Sequence, residues 1–229
     1  MKYGRSTTSG NAPDQRTVYL TFDDGPSLNT ARILDILKHH QVPATFFVVG
    51  NDSDFSHRMY RRIVDEGHVL GNHTYSHDYS TIYSSVDAFM EDVLTLQDHL
   101  ESITGYRPNT FRFPAGSNNQ IHRRYHDQGP ELIIDIMLAL RDKNLPYFDW
   151  NVSSTDAADV TLDKETIVEN TLRKVAGFQH AVILFHDSPP KTTTVEALPE
   201  IIGSLKNRGY AFDTLGPDSF YVQFHHLGY

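Results

Sequence analysis

The run Ala181-Val182-Ile183-Leu184-Phe185 contains no polar residue, and Ala44–Val49 (Ala-Thr-Phe-Phe-Val-Val) contains one. A strand with one wet face alternates polar and apolar side chains, so runs like these predict strands covered on both faces. Covering both faces requires helices on each side of a mostly parallel sheet. Seven stretches read as strands: Thr17–Phe22, Ala44–Val49, His68–Leu70, Thr110–Phe113, Tyr147–Val152, Ala181–Phe185 and Tyr210–Thr214. Helical patterns lie between them. Asn29–His40 carries Ile33, Leu34 and Leu37 on one side, and Ser56–Glu66 stops at Gly67. A long helix through Val86, Phe89, Met90 and Val93 stops at Gly105, and Ile133, Ile136, Met137 and Leu140 fall at i, i+3, i+4, i+7. A further helix carries Ile167, Val168, Leu172 and Val175, and Thr193-x-x-Glu196 predicts a capping box for the last one. The expected class is α/β: a distorted (β/α)7 barrel of parallel strands with outer helices. Residues 1–15 read as a flexible tail or tag remnant, and 16–229 as one domain without linker or repeat.

The chain's 229 residues are ample for a real core, and 39% hydrophobic residues with a mean hydropathy of −0.43 describe a soluble globular protein. The formal charge of −9 argues against nucleic acid, which wants a basic surface, and gives no attraction to an anionic membrane. No apolar stretch is long enough to span a bilayer, and no signal peptide is visible. Zero Cys excludes disulfides and thiolate metal sites but leaves the compartment open.

Polar motifs follow strands one, three, four, five and six, all at C-terminal strand ends, where β/α folds build active sites. Asp23-Asp24-Gly25-Pro26 ends the first strand, and adjacent carboxylates repel unless a cation or a proton separates them. His73-x-x-x-His77 lets two imidazoles converge on one point; one carboxylate from Asp23-Asp24 completes a two-His, one-Asp set with open positions, the pattern of a catalytic metal. Non-haem iron oxygenases share that donor set, although they commonly use a His-x-Asp/Glu segment that is absent around His73. Arg112 suits a role in holding the second carboxylate ionised. Either Asp149 or Asp156 is placed to orient a catalytic His. His186 closes an apolar strand, where a His has little reason to be unless it faces a site, and His is the usual general acid near neutral pH. His40, His68, His99, His180, His225 and His226 read as surface or structural residues.

Five ordered segments carry a resemblance: Thr21-Phe22-Asp23-Asp24-Gly25-Pro26, His73-Thr74-Tyr75-Ser76-His77, Arg112-Phe113-Pro114-Ala115-Gly116, Asp149-Trp150-Asn151-Val152-Ser153-Ser154-Thr155-Asp156 and Leu184-Phe185-His186-Asp187. From about Arg16 to Leu215 the chain resembles the polysaccharide deacetylases of carbohydrate esterase family 4, the NodB homology domain, and within it the bacterial peptidoglycan N-acetylglucosamine deacetylase branch. The resemblance implies Asp23 as general base, Asp24, His73 and His77 as metal ligands, Arg112 paired with Asp23, and His186 as general acid held by Asp156. It implies that Leu184 and Trp150 line a pocket for the acetyl methyl group, with Phe113 and Pro114 on the substrate side. The Ala115 N–H would complete the oxyanion site, where the family often has Tyr, Phe or Gly. The implied reaction removes N-acetyl groups from GlcNAc-type glycans, peptidoglycan or chitooligosaccharides, using one divalent metal: zinc, cobalt or nickel. An extracellular or cell-wall location and a monomer are the matching expectations. Rival readings are a phosphoesterase, an O-acetyl esterase (acetylated xylan, for example) and an inactive glycan-binding homologue.

Overall fold

The structure is a computed structural model that describes residues 2–4, 15–125 and 131–225. Its elements are β1 (Lys2–Gly4), β2 (Thr17–Asp23), α1 (Leu28–His40), β3 (Thr45–Val48), α2 (Asp54–Asp65), β4 (Val69–Asn72), α3 (Tyr79–Ile82) and α4 (Val86–Thr104). There follow α5 (Glu131–Asp142), β5 (Val152–Ser153), α6 (Lys164–Val175), β6 (His180–His186), α7 (Thr192–Asn207), β7 (Ala211–Asp213) and β8 (Tyr221–Gln223). The apolar runs form a six-stranded parallel sheet in the order β4-β3-β2-β6-β5, with β7 also on β2. β6 lines one edge of β2 from Thr17 to Asp23, so β7 (at Thr17–Tyr19) and β3 (at Thr21–Asp23) share the other. All seven residues of β2 are buried.

Period-two alternation sorts β2 into two faces. Val18, Leu20 and Phe22 join Ala181, Ile183 and Phe185 of β6 in the large core under α1, α2, α6 and α7. Tyr19 and Val182 point the other way, into a smaller cluster with Phe47, Phe148, Leu215, Phe220 and Val222. Thr21, Asp23, Leu184 and His186 follow on that second face, and the register pairs Asp23 with His186.

Two expected strands are shorter than the sequence suggests. Of Thr110–Phe113, only Phe111 bridges, to Asn72 and to Tyr147, because the chain turns at once through a Gly116 N–H bond to the Phe113 carbonyl. Tyr147–Val152 passes between neighbours: Phe148 N–H bonds Phe111, Asp149 N–H bonds Val222, Asn151 N–H bonds Val182, and only Val152–Ser153 pairs as a strand with β6. β1 and β8 form an antiparallel ribbon that the tail reading did not include. The rest of residues 1–14, residues 126–130 of the polar loop, and His226 lie outside the described residues. The predicted capping box at Thr193 and Glu196 is a correction: α7 begins at Thr192, after Lys191, with no side-chain cap. Long-range contacts set that entry instead, since Lys191 Nζ donates to the carbonyls of Asp156, Asp159 and Val160, and Thr194 Oγ1 donates to Asp156.

Candidate active site

The two carboxylates after β2 are separated by backbone conformation. Asp23 is the last strand residue, and its side chain lies on the inner face, 3% exposed. Asp24 has φ +77, which ends the alternation and turns its carboxylate toward His73 and His77. The space for that turn depends on Gly25: a Cβ there would stand 2.3 Å from Oδ2 of Asp187, a buried carboxyl that accepts the Thr30 hydroxyl. Gly25→Ala therefore overpacks a site closed by hydrogen bonds. The expected cost is about 1–3 kcal/mol, read as a lower urea midpoint with an unchanged slope.

Arg112 is fully buried and uses its whole fork. Nη1 donates to Asp23 Oδ1 at 2.9 Å and to Thr21 Oγ1 at 2.6 Å, Nε to the Phe148 carbonyl at 2.9 Å, and Nη2 to the Asp149 carbonyl at 3.1 Å. Its guanidinium lies 4.3 Å from the Phe47 ring centre and 5.7 Å from that of Trp150. Burial pushes the Asp23 carboxyl above the usual carboxylate range, although the charge and hydrogen bond of Arg112 pull it down. A carboxylate raised in this way and still paired with a cation suits a proton acceptor.

Asp24, His73 and His77 form a candidate metal-ligand set. Asp24 Oδ1 lies 3.6 Å from His73 Nε2 and 3.4 Å from His77 Nε2. His73 Nδ1 donates to the Arg112 carbonyl at 2.8 Å; a carbonyl only accepts, so the proton sits on Nδ1 and Nε2 keeps its lone pair. Burial and the neighbouring His77 lower the His73 pKa to about 3, so the ring is neutral, as a ligand must be. Asp24 and His77 side chains are each 29% exposed, so the set opens to solvent on one side. The donor chemistry fits a divalent cation with free positions. The chain between the two rings has positive φ at Thr74 and His77. It is held by Asn72, whose Oδ1 accepts the Thr74 N–H and whose Nδ2 donates to the Val93 carbonyl, and by Asp92 of α4, which accepts the Tyr75 and Ser76 N–H groups.

His186 stands beside Asp23 on the neighbouring strand. Its Nδ1 donates to Asp156 Oδ1 at 2.8 Å, and its backbone N–H donates to Asp156 Oδ2 at 2.8 Å. Burial lowers the His186 pKa, but the hydrogen bond and charge of Asp156, with Asp23 and Asp24 behind it, raise it overall to about 9. Of the two candidate orienting acids, the structure brings Asp156 to the His. Asp149 instead clamps loops, accepting Ser117 N–H, Ser117 Oγ and Phe224 N–H.

Ala115 has φ +65 in the turn after Arg112, where the Tyr83 hydroxyl holds the Pro114 carbonyl. Phe113 is buried in the second core, among Phe89, Phe111 and Tyr147. Trp150 packs edge-on against Phe224 and 3.0 Å from where a Gly116 Cβ would stand. Leu184 is 6% exposed, between Thr21 and Ser153 in register. Sequence reasoning gave no role to Asp92, Lys191 or Thr194. Each is one polar residue beside others on a helix or at its start, with no motif spacing to its distant partner.

The polysaccharide deacetylase family profile matches residues 10–129. A putative polysaccharide deacetylase of Bacillus subtilis, YheN, is 34% identical over 206 residues, covering 87% of this chain and 67% of that protein. A peptidoglycan-N-acetylglucosamine deacetylase of Bacillus cereus is 35% identical over 201 residues, covering 86% of this chain and 66% of its own length. The chain thus spans about two thirds of these relatives. Among solved structures, the catalytic domain of a peptidoglycan N-acetylglucosamine deacetylase from Eubacterium rectale superposes with a TM-score of 0.87 at 33% identity, covering 97% of this chain and 98% of that one.

Proposed function

The chain belongs to the polysaccharide deacetylase family, and from that premise we propose that it removes acetyl groups from N-acetylglucosamine units of a glycan such as peptidoglycan, with a zinc ion held by Asp24, His73 and His77. The observation that carries the proposal is the division of two adjacent acids: Asp23 sits on a buried guanidinium, while Asp24 faces two imidazole nitrogens. When bound, the cation supplies Lewis acidity at the acetyl carbonyl and eases loss of a proton from water. Asp23 accepts that proton, its position set by Arg112. The Ala115 N–H donates to the developing oxyanion, a contact of a kind worth roughly 3–4 kcal/mol per donor. Protonated His186, aligned by Asp156, delivers its Nε2 proton to the departing amine, so acetate and a free amino sugar result. Trp150, Leu184 and Pro114 shape the acetyl pocket in this reading, whereas Phe113, buried among Phe89, Phe111 and Tyr147, anchors the turn that carries Ala115. A glycan of this kind lies outside the cell membrane, and the protein acts there.

The direct test is acetate release from hexa-N-acetylchitohexaose, from peptidoglycan and from O-acetylated xylan, after chelation and after zinc add-back. Zinc-dependent release from the N-acetyl glycans supports the proposal, and their rate ratio assigns the substrate. Release from the O-acetyl ester alone makes the protein an esterase, and metal uptake with no release from any of the three makes it a binding protein.

The pH profile gives a second check. A general acid must be protonated, so kcat/KM falls as pH rises through the His186 pKa. Asp156→Asn removes the largest influence raising that pKa, so the alkaline limb of its profile moves to lower pH than in the parent. In the metal-free protein a raised His pKa carries a matching stability term. It is fully present below about pH 6.5 and lost as pH rises through about 9, measurable as a falling urea midpoint.

A further inference from the structure

A second set of metal donors lies outside the active site. Asp52, in the loop after β3, His57, in the first turn of α2, and His99, on α4, each offer one ligand atom, and these atoms all lie within 4.8 Å of one another. His57 Nε2 is 3.1 Å from Asp52 Oδ1, and the His57 and His99 rings are 5.5 Å apart, against 5.2 Å for His73 and His77. His99 Nε2 lies 3.4 Å from the Asn51 carbonyl, a contact that ties the ring to the loop carrying Asp52. Ligands at the usual zinc distance stand roughly 3.3 Å apart around a tetrahedron. Closing the remaining gap takes small side-chain adjustments, and Asp52, whose side chain is 82% exposed, is free to move.

We propose that Asp52, His57 and His99 bind a second divalent transition-metal ion, zinc by the chemistry of the donors, that joins α2 to α4. An ion pair between Asp52 and His57, and edge-on packing of His99 against Tyr60 and Tyr75, account for the contacts one pair at a time; a shared cation accounts for three donors from three segments lying together. This site is weaker than the one at Asp24, for two reasons. The N-terminus of α2 opposes a cation, and Asp52 must be ordered from solvent. It also adjoins the catalytic loop: the Tyr75 ring packs edge-on against His99, and the Tyr75 carbonyl accepts the Gly50 N–H. Zinc bound there holds the outside of the segment whose ends are His73 and His77.

The test is stoichiometry, which does not depend on turnover. Metal-free protein is titrated with Zn2+ by calorimetry and, in parallel, with Co2+ by visible absorption. The expected result is two equivalents for the parent, with the weaker one lost in His57→Gln/His99→Gln and weakened at least tenfold in Asp52→Asn, which lies on the surface and leaves the fold intact. His57→Gln/His99→Gln keeps acetate release at one equivalent of zinc. His73→Ala/His77→Ala keeps the weaker equivalent, so failure of the catalytic site and failure of this one are told apart. Zinc binding that is the same in the parent and in His57→Gln/His99→Gln, whether one equivalent or two, overturns the proposal.

Discussion

Asp23→Asn lowers acetate release by about 10²–10⁴-fold, the usual worth of a positioned proton acceptor, and leaves the Asp24 metal equivalent in place. The amide keeps an oxygen for Arg112 and nearly the same volume, so the buried guanidinium retains a partner. What is lost is the charge that takes a proton. The effect therefore falls on kcat and kcat/KM together, with little change in zinc affinity. A variant that turns over within tenfold of the parent would show that another group accepts the proton. His186 is the nearest alternative by register.

The second large effect is at His73. His73→Ala removes a buried ligand and also the N–H that satisfies the Arg112 carbonyl. Removing groups that merely orient a ligand costs 10–100-fold in metal affinity elsewhere, so losing the ligand itself costs more than about 100-fold. Zinc content after desalting falls accordingly, and acetate release disappears unless zinc is supplied in large excess. Chelation of the parent gives the same loss, and zinc add-back restores the parent alone. Release that survives both chelation and His73→Ala would remove the metal from the proposal altogether.

Much of this arrangement is legible along the chain. Apolar runs such as Ala181–Phe185 predict buried parallel strands because burial on both faces leaves no polar positions. The ordered motifs are legible because strand ends are the only places where such runs stop on charged residues. Other features depend on partners distant in sequence. Asp92 supports the His73–His77 segment from mid-helix, where an Asp on the polar side of an amphipathic pattern looks like any other. Lys191 is buried because three carbonyls 31–35 residues earlier surround its amine. Asp149 and Asp156 are equivalent as sequence, and only the crossing of that segment from Phe111 to β6 decides which one meets His186. The false capping box has the same origin, since tertiary bonds at Lys191 and Thr194 override a local motif.

Arg112 grips the site with two different parts of itself. Its side chain holds Asp23, whereas its main-chain carbonyl holds His73. Substitution changes the first and spares the second. Arg112→Met would thus leave a less stable protein, its buried Asp23 stripped of a counter-charge, that keeps its three zinc ligands yet turns over poorly. Descendants of this chain that drift at position 112 would pass through that state, retaining a metal with nothing left to use it. For such variants metal content reports ancestry, and only turnover reports function.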